Sequence, residues 1–410
     1  MTARLLRQAG ESDIAIVEPS ALHFYQPIWT LVGAGTVRRE SSVRPEARYI
    51  PAGVRWIQDA VAAVDPDHGY ITTRNGGRVS YDFLVVAVGV QLNWAAIPGL
   101  EEAIQRGDAS SNYSYALAPK TWELIRKFRG GTALFHMPGT PIKCPGAPQK
   151  ILYLAADHFR RRGIRRDVNL IYGSALGAIY GVKEYAAVLD RVIERHGIDA
   201  RFHHDLVEVR AVEKEAIFTV PGTPERRRVT IPYDLLHAVP PQTAPEFIRQ
   251  SALADPDKPR EGWVKVDKYT LQHVVYPNVF ALGDVAGTPN AKTGAAVVRQ
   301  APVVVANLLA VMRGAQPTAA YDGYIACPII TGYDRVLLCE LDYTGGPRPR
   351  IPWINTIRER YDMWLLKRYG LPWLYWHVLL RGHTIPFLHQ APERVRTQGW
   401  DAPALPPAPV

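Results

Sequence analysis

At 410 residues, with 47% hydrophobic and 21% charged side chains, the chain has apolar material for a large core and two or more domains, which excludes wholesale disorder. A net charge of +9 with 10 Trp and 20 Tyr points to a membrane surface or an anionic small molecule. Lys and Arg are scattered without a recognition module, which speaks against nucleic acid.

Three cysteines occur, Cys144, Cys327 and Cys339. They are too few for a secreted disulfide scaffold and lack a CxxC spacing, so no metal site is expected, while a redox pair stays open. No charged segment followed by an apolar one opens the chain, and no apolar run of about 18 residues is apparent. The expectation is a protein on the cytoplasmic side that does not span a bilayer.

In chain order, residues 1–8 read as the end of a helix and 13–17 as a strand finishing in Glu18. An acid after such a strand is placed to bond ribose hydroxyls in a dinucleotide-binding βαβ unit, although a solvated loop residue has the same local pattern. The G-x-G-x-x-G loop of such a unit would lie upstream of Met1. Residues 23–35 mix His, Gln and aromatics, as packing near a ligand or a plain core loop would. Short strands at 54–58, 60–65, 70–73 and 78–80, broken by turn signals, predict a β-meander. Residues 81–89 form a near-continuous apolar strand ending in Gly89, the pattern of a strand buried on both faces of a parallel sheet.

Cys144 lies in a turn containing Pro138, Gly139, Pro141, Pro145, Gly146 and Pro148, between a strand predicted over 132–135 and a helix over 149–162. Pro148 suits a first helical turn. Lys143 and the helix N-terminus both favour the thiolate, and a buried structural cysteine is the other reading. A strand over 167–172 leads into the turn 173–181, which has the place but not the spacing of a dinucleotide loop, and then a helix over 183–196. His203 and His204 have no ligand-spaced partners and read as structural.

A strand ending in Gly283-Asp284, followed by Lys292, Thr293 and a helix through 309, sets a carboxylate beside helix N–H groups. Asp284 can accept a polyol hydroxyl, and the helix dipole can stabilise a reduced flavin. An N-capping role is the alternative for Asp284. Cys327 precedes a proline, as Cys144 does. Residues 358–381 carry Trp and Tyr among Leu, Lys and Arg, the composition of a membrane interface, split at Gly370 and Pro372. A homodimer interface would look similar.

With these motifs in order, the chain resembles the sulfide:quinone oxidoreductases, in the branch that includes the mitochondrial enzymes. The resemblance is carried by residues 23–35, 140–152, 176–185, 271–284, 292–297, 321–333 and 374–382. It implies an α/β fold with two Rossmann-like domains of the disulfide-reductase flavoprotein type and a C-terminal membrane-docking region. Residues 1–115 and 251–320 would form the FAD-binding domain. Residues 116–250 would form a second domain with a degenerate NAD-type turn, 321–400 the quinone and membrane region, and 401–410 a disordered tail.

The resemblance also implies FAD held by Glu18, Gln26, Gly89, Gly283, Asp284, Lys292 and Thr293, with Cys144 and Cys327 facing each other across the flavin. Sulfide would open a disulfide or trisulfide between them. A persulfide on Cys327 would then pass to sulfite, glutathione or more sulfide, and quinone would take two electrons. Cys339 matches no motif and reads as a buried bystander. The departure from the family pattern is the missing first strand and glycine loop, and the expectation is that roughly 20 residues, a strand plus turn, belong upstream. Alternatives are a type II NADH:quinone reductase, and a flavin-free truncated sulfur carrier or inactive remnant.

Overall fold

The computed structural model describes residues 1–383 except Pro224 and Pro352. The expected tail at 401–410 lies outside the described residues, as does the stretch 384–400.

A five-stranded parallel sheet positions the cysteine turn. Its order is Ala109–Ser110, Leu235–His237, Gly131–Met137, Val168–Ser174 and Asp199–Arg201. The central pair runs in register from Gly131 against Val168 to Met137 against Ser174. Both strands are almost wholly buried, as strands covered on both faces must be. The helix Ala147–Arg161 begins two residues earlier than its spacing predicts, with Pro148 in its first turn. Its residues 147–157 are all buried, because it is clamped between this sheet and the hairpin formed by Ile325–Gly332 and Arg335–Leu341. The predicted helix over 183–196 is Lys183–His196.

The predicted meander holds for Val61–Asp65, Tyr70–Thr73 and Arg78–Ser80. The strand expected at its head does not join it: Arg55–Ile57 pairs in parallel with Ala15–Val17. A short apolar run identifies a strand but not its partner, which is why local pattern misassigned it. Residues 81–89 also depart from expectation. The strand is only Leu84–Val86, it pairs in parallel with Val279–Ala281 alone, and Val88 is exposed. The parallel sheet of the first half is therefore in two two-stranded pieces. Ile14 at the entrance to one piece and Phe83 and Val85 of the other pack against one apolar cluster with Leu6 and Phe280. Among the described residues no strand joins the two pieces.

The helix Gly294–Met312 corrects the expectation that no apolar run is long enough for a bilayer. Arg299, Gln300 and Asn307 interrupt its composition, yet an 18-residue window of it keeps a mean hydropathy of 1.7. Most of its apolar window is buried inside the protein, so it serves as a core helix. The C-terminal segment is not split as predicted. Tyr361–Leu365, a π-helical turn over Leu366–Gly370 and Leu371–His377 follow one another directly. The wider turn lies just ahead of Pro372, which has no N–H to donate.

Candidate functional site

The cysteine turn places Cys144 in a left-handed conformation, φ +49°, unusual for a residue with a Cβ. Its peptide groups hold it there. The Cys144 N–H donates to Lys292 O at 2.7 Å, and its carbonyl accepts from the Tyr113 hydroxyl at 3.1 Å and from the Ala147 N–H at 2.8 Å. The bond to Lys292 ties the cysteine turn directly to the Lys292-Thr293 motif.

Cys327 enters from the hairpin strand Ile325–Gly332 and hydrogen-bonds the Cys144 sulfur. The two predicted cysteines are thus brought together as free thiols. Lys150, on the buried helix and only 2% exposed, donates from Nζ to Cys144 Sγ at 3.1 Å. The Cys327 hydrogen bond first, and the Lys150 charge after it, hold the Cys144 thiol well below the usual thiol range against the effect of burial. Cys327 moves the opposite way, because its hydrogen bond to Cys144 and its burial both favour the neutral thiol. Burial opposes the Lys150 charge, but the two sulfurs outweigh it and raise its pKa. One sulfur is set to be an anion and the other a thiol, with one cation between them.

Lys143, expected to stabilise the thiolate, attracts the Cys144 charge but makes its hydrogen bond elsewhere. Its Nζ donates to Gln26 Oε1 at 2.6 Å and lies 5.7 Å from the centre of the Trp29 ring. Gln26 is therefore fixed beside the cysteine turn. Lys367 is a second cation that the sequence did not reveal. It is 2% exposed, donates to Pro27 O at 2.8 Å, and has its pKa lowered to about 7, first by burial and then by the Lys150 charge. Its own charge also favours the Cys144 thiolate.

Asp284 follows Gly283, whose φ is +74°, in the turn Gly283–Val285, and its pKa is raised by burial despite the charges of Lys292 and Lys143. Lys292 is buried, donates to Ala286 O at 3.2 Å and packs its ammonium 3.7 Å from the Trp263 ring centre. Burial lowers its pKa to about 8. Thr293 caps the helix Gly294–Met312, its hydroxyl accepting from Ala296 N–H at 3.2 Å. Gly89 has φ +71° and open space where a side chain would stand. Glu18 is not brought to this group. Its carboxylate accepts the Ser20 N–H at 2.7 Å, and its ionisable neighbours are Glu46 and His23.

The aromatic stretch 23–35 meets the C-terminal helices. His23 bridges Glu46 and the Tyr375 hydroxyl at 2.6 Å each, and Tyr25 packs 4.5 Å from the Tyr375 ring, with Trp376 beside them. Tyr25 also feels the Cys144 charge, so this cluster connects the thiol pair to the C-terminal segment.

No family model matches the chain. It is 45% identical over 383 residues to "Sulfide:quinone oxidoreductase, mitochondrial" of Mus musculus, covering 93% of this chain and 84% of that one. It is 42% identical to the protein of the same name from Dictyostelium discoideum, covering 91% and 81%. Among solved structures it is similar to the sulfide:quinone oxidoreductase of Aquifex aeolicus, with a TM-score of 0.79 at 20% identity over 94% of this chain and 89% of that one.

Proposed function

The chain belongs to the sulfide:quinone oxidoreductase family, and from that premise we propose how its own residues carry the reaction. It is an FAD-dependent oxidoreductase that oxidises sulfide and passes the electrons to quinone. The type II NADH:quinone alternative is not favoured, since the relatives matched over nine tenths of the chain are sulfide:quinone enzymes.

The residues around Cys144 fit the ring end of a flavin. Gly89 leaves room for close approach, and Lys292 offers a desolvated ammonium that an anion would hold in its charged form. Thr293 caps a helix whose N-terminus favours negative charge, and Asp284 is a carboxylate for a polyol hydroxyl. Gln26 is fixed at the same side by Lys143. At the nucleotide end the fit is incomplete, with Glu18 engaged by Ser20 and no described strand between the two sheet pieces. FAD supplies a two-electron acceptor between the thiolate and quinone.

The protein's own chemistry begins at a Cys144–Cys327 bridge. Sulfide attacks the Cys327 sulfur, the S–S bond breaks, and Cys144 leaves as a thiolate beside the Lys150 ammonium. Cys327 keeps the new sulfur as a persulfide, which sulfite, glutathione or a second sulfide removes. The aromatic cluster of Tyr25, Tyr375 and Trp376 is the candidate quinone wall. The exposed row Tyr361, Leu365, Tyr369 and Trp373 on the C-terminal helices is the candidate membrane contact.

The observation that carries this reading is the Lys150 ammonium 3.1 Å from Cys144 Sγ with Cys327 as hydrogen-bond partner. The test is sulfide-dependent reduction of a soluble quinone analogue by the wild-type chain and by Cys144→Ser and Cys327→Ser. Loss of turnover in both variants supports it, and retained turnover in either overturns it.

A further inference from the structure

We propose that Cys339 is a third working thiol, which takes Cys327 from Cys144 by disulfide exchange and so gives the enzyme a second oxidised isomer. The proposal rests on the redox pairing of Cys144 with Cys327.

The hairpin supplies the geometry. Cys327 and Cys339 are directly opposite one another in the antiparallel ladder, with Ile325 against Leu341 and Ile329 against Leu337 on either side. Opposed residues of such a pair project from the same face, with Cα atoms roughly 4.5–5.5 Å apart, inside the 4.4–6.8 Å span that a disulfide bridges. Cys327 is 3% exposed and Cys339 1%, and both belong to one apolar cluster packed against the buried helix. Burial favours the neutral Cys339 thiol, and the Tyr180 hydroxyl, at the half-buried end of the turn 173–181, acts against it as a polar partner. Lys150 acts electrostatically on all three sulfurs. A bystander needs neither the register nor the polar partner.

The step balances without an oxidant. The Cys339 sulfur attacks Cys327 Sγ, a Cys327–Cys339 bond forms, and the Cys144–Cys327 bond breaks. Cys144 departs as the thiolate that the Lys150 ammonium receives. The proton lost by Cys339 is released to water past the Tyr180 hydroxyl. One S–S bond replaces another, so the two oxidising equivalents stay in the protein. They now sit in a fully buried bridge, while Cys144 stands free as an anion. Sulfide reaches this isomer only after the exchange reverses, which makes it a protected reserve of the oxidised enzyme.

The test is cysteine connectivity. Wild-type, Cys144→Ser and Cys339→Ala chains are oxidised with diamide, quenched in acid, alkylated and digested, and the linked peptides are read by mass spectrometry, with circular dichroism to confirm folding. The proposal expects both the Cys144–Cys327 and the Cys327–Cys339 peptides in wild type. It expects the Cys327–Cys339 peptide in Cys144→Ser, and only the Cys144–Cys327 peptide in Cys339→Ala. A folded Cys144→Ser chain in which Cys327 and Cys339 stay alkylatable, with only the Cys144–Cys327 peptide in wild type, overturns the proposal and leaves the redox pair standing. A wild-type chain that never bridges Cys144 to Cys327 overturns the pairing itself, and the proposal with it.

Discussion

The ammonium of Lys150 lies 3.1 Å from the sulfur of Cys144, one on the buried helix and the other in the turn that leads into it. A hydrogen bond to a charged group is worth about 1.5–3 kcal/mol, which corresponds to roughly 1–2 pKa units. Lys150→Met should therefore move the Cys144 thiol up by about 1–2 units. The measurement is the rate of iodoacetamide alkylation of the reduced protein against pH. Lys150→Arg, which keeps the charge, should shift the inflection less. An unchanged inflection in Lys150→Met would show that the lysine does not set the thiolate.

Lys367 should add a second inflection. With its pKa near 7 it is a cation below that value and neutral above it, so its help to the Cys144 thiolate fades as pH rises through 7. The alkylation profile of wild type should bend near pH 7, and that bend should vanish in Lys367→Met. A bend that survives the substitution belongs to another group.

The difference between what the sequence showed and what it hid is clearest in these lysines. Proline and glycine spacing marked the Cys144 turn, because those residues restrict the backbone locally. Lys150 had a local signal: it stands directly before the apolar run Ile151–Ala156, and residues 147–157 carry no other cation. Lys367 had none, since its burial depends on the C-terminal helices folding back over Pro27. The same distinction separates Glu18, placed by motif alone, from Gln26, whose position beside the cysteine turn is visible only once Lys143 turns toward it.

Two histidines buried behind the site should make the protein acid-sensitive. His136 and His237 are both pushed down to about 3, chiefly by burial. Between about pH 6.5 and 3 the unfolded chain binds protons there that the folded chain does not, so stability is fully present above 6.5 and falls as pH drops through that window. Each group contributes about 1.4 kcal/mol per pH unit. Urea unfolding midpoints of wild type and His136→Phe, taken at several pH values, should diverge, with the variant falling about one such increment less per unit. Parallel curves would mean that His136 is already protonated in the fold.

Membrane contact should depend on one helical row. Tyr361, Leu365, Tyr369 and Trp373 recur every four residues along the segment Tyr361–His377 and are all exposed. Interfacial binding scales with buried apolar area, so replacing both Tyr369 and Trp373 by Ala should lower sedimentation with anionic liposomes severalfold while leaving the fold unchanged by circular dichroism. Equal sedimentation of the variant would place the membrane contact elsewhere.

Flavin occupancy should follow the completeness of the first sheet. Ala15–Val17 and Leu84–Val86 each pair on one side only, yet the residues around them pack on one apolar cluster. Each strand's other edge carries backbone groups that a neighbouring strand would satisfy, and one parallel strand between them would join the pieces into a five-stranded sheet. A strand in that place ends where a glycine turn and a helix N-terminus would cradle a pyrophosphate. The helix Thr2–Gln8 already stands against the helix Gly294–Met312. The 410-residue chain should therefore bind FAD weakly, and a version carrying an added N-terminal strand and G-x-G-x-x-G turn of roughly 20 residues should hold it near one per chain. Absorbance at the flavin band relative to protein measures both. Full occupancy of the shorter chain would show that the ring-end residues suffice and that the open strand edges are not where the nucleotide is held.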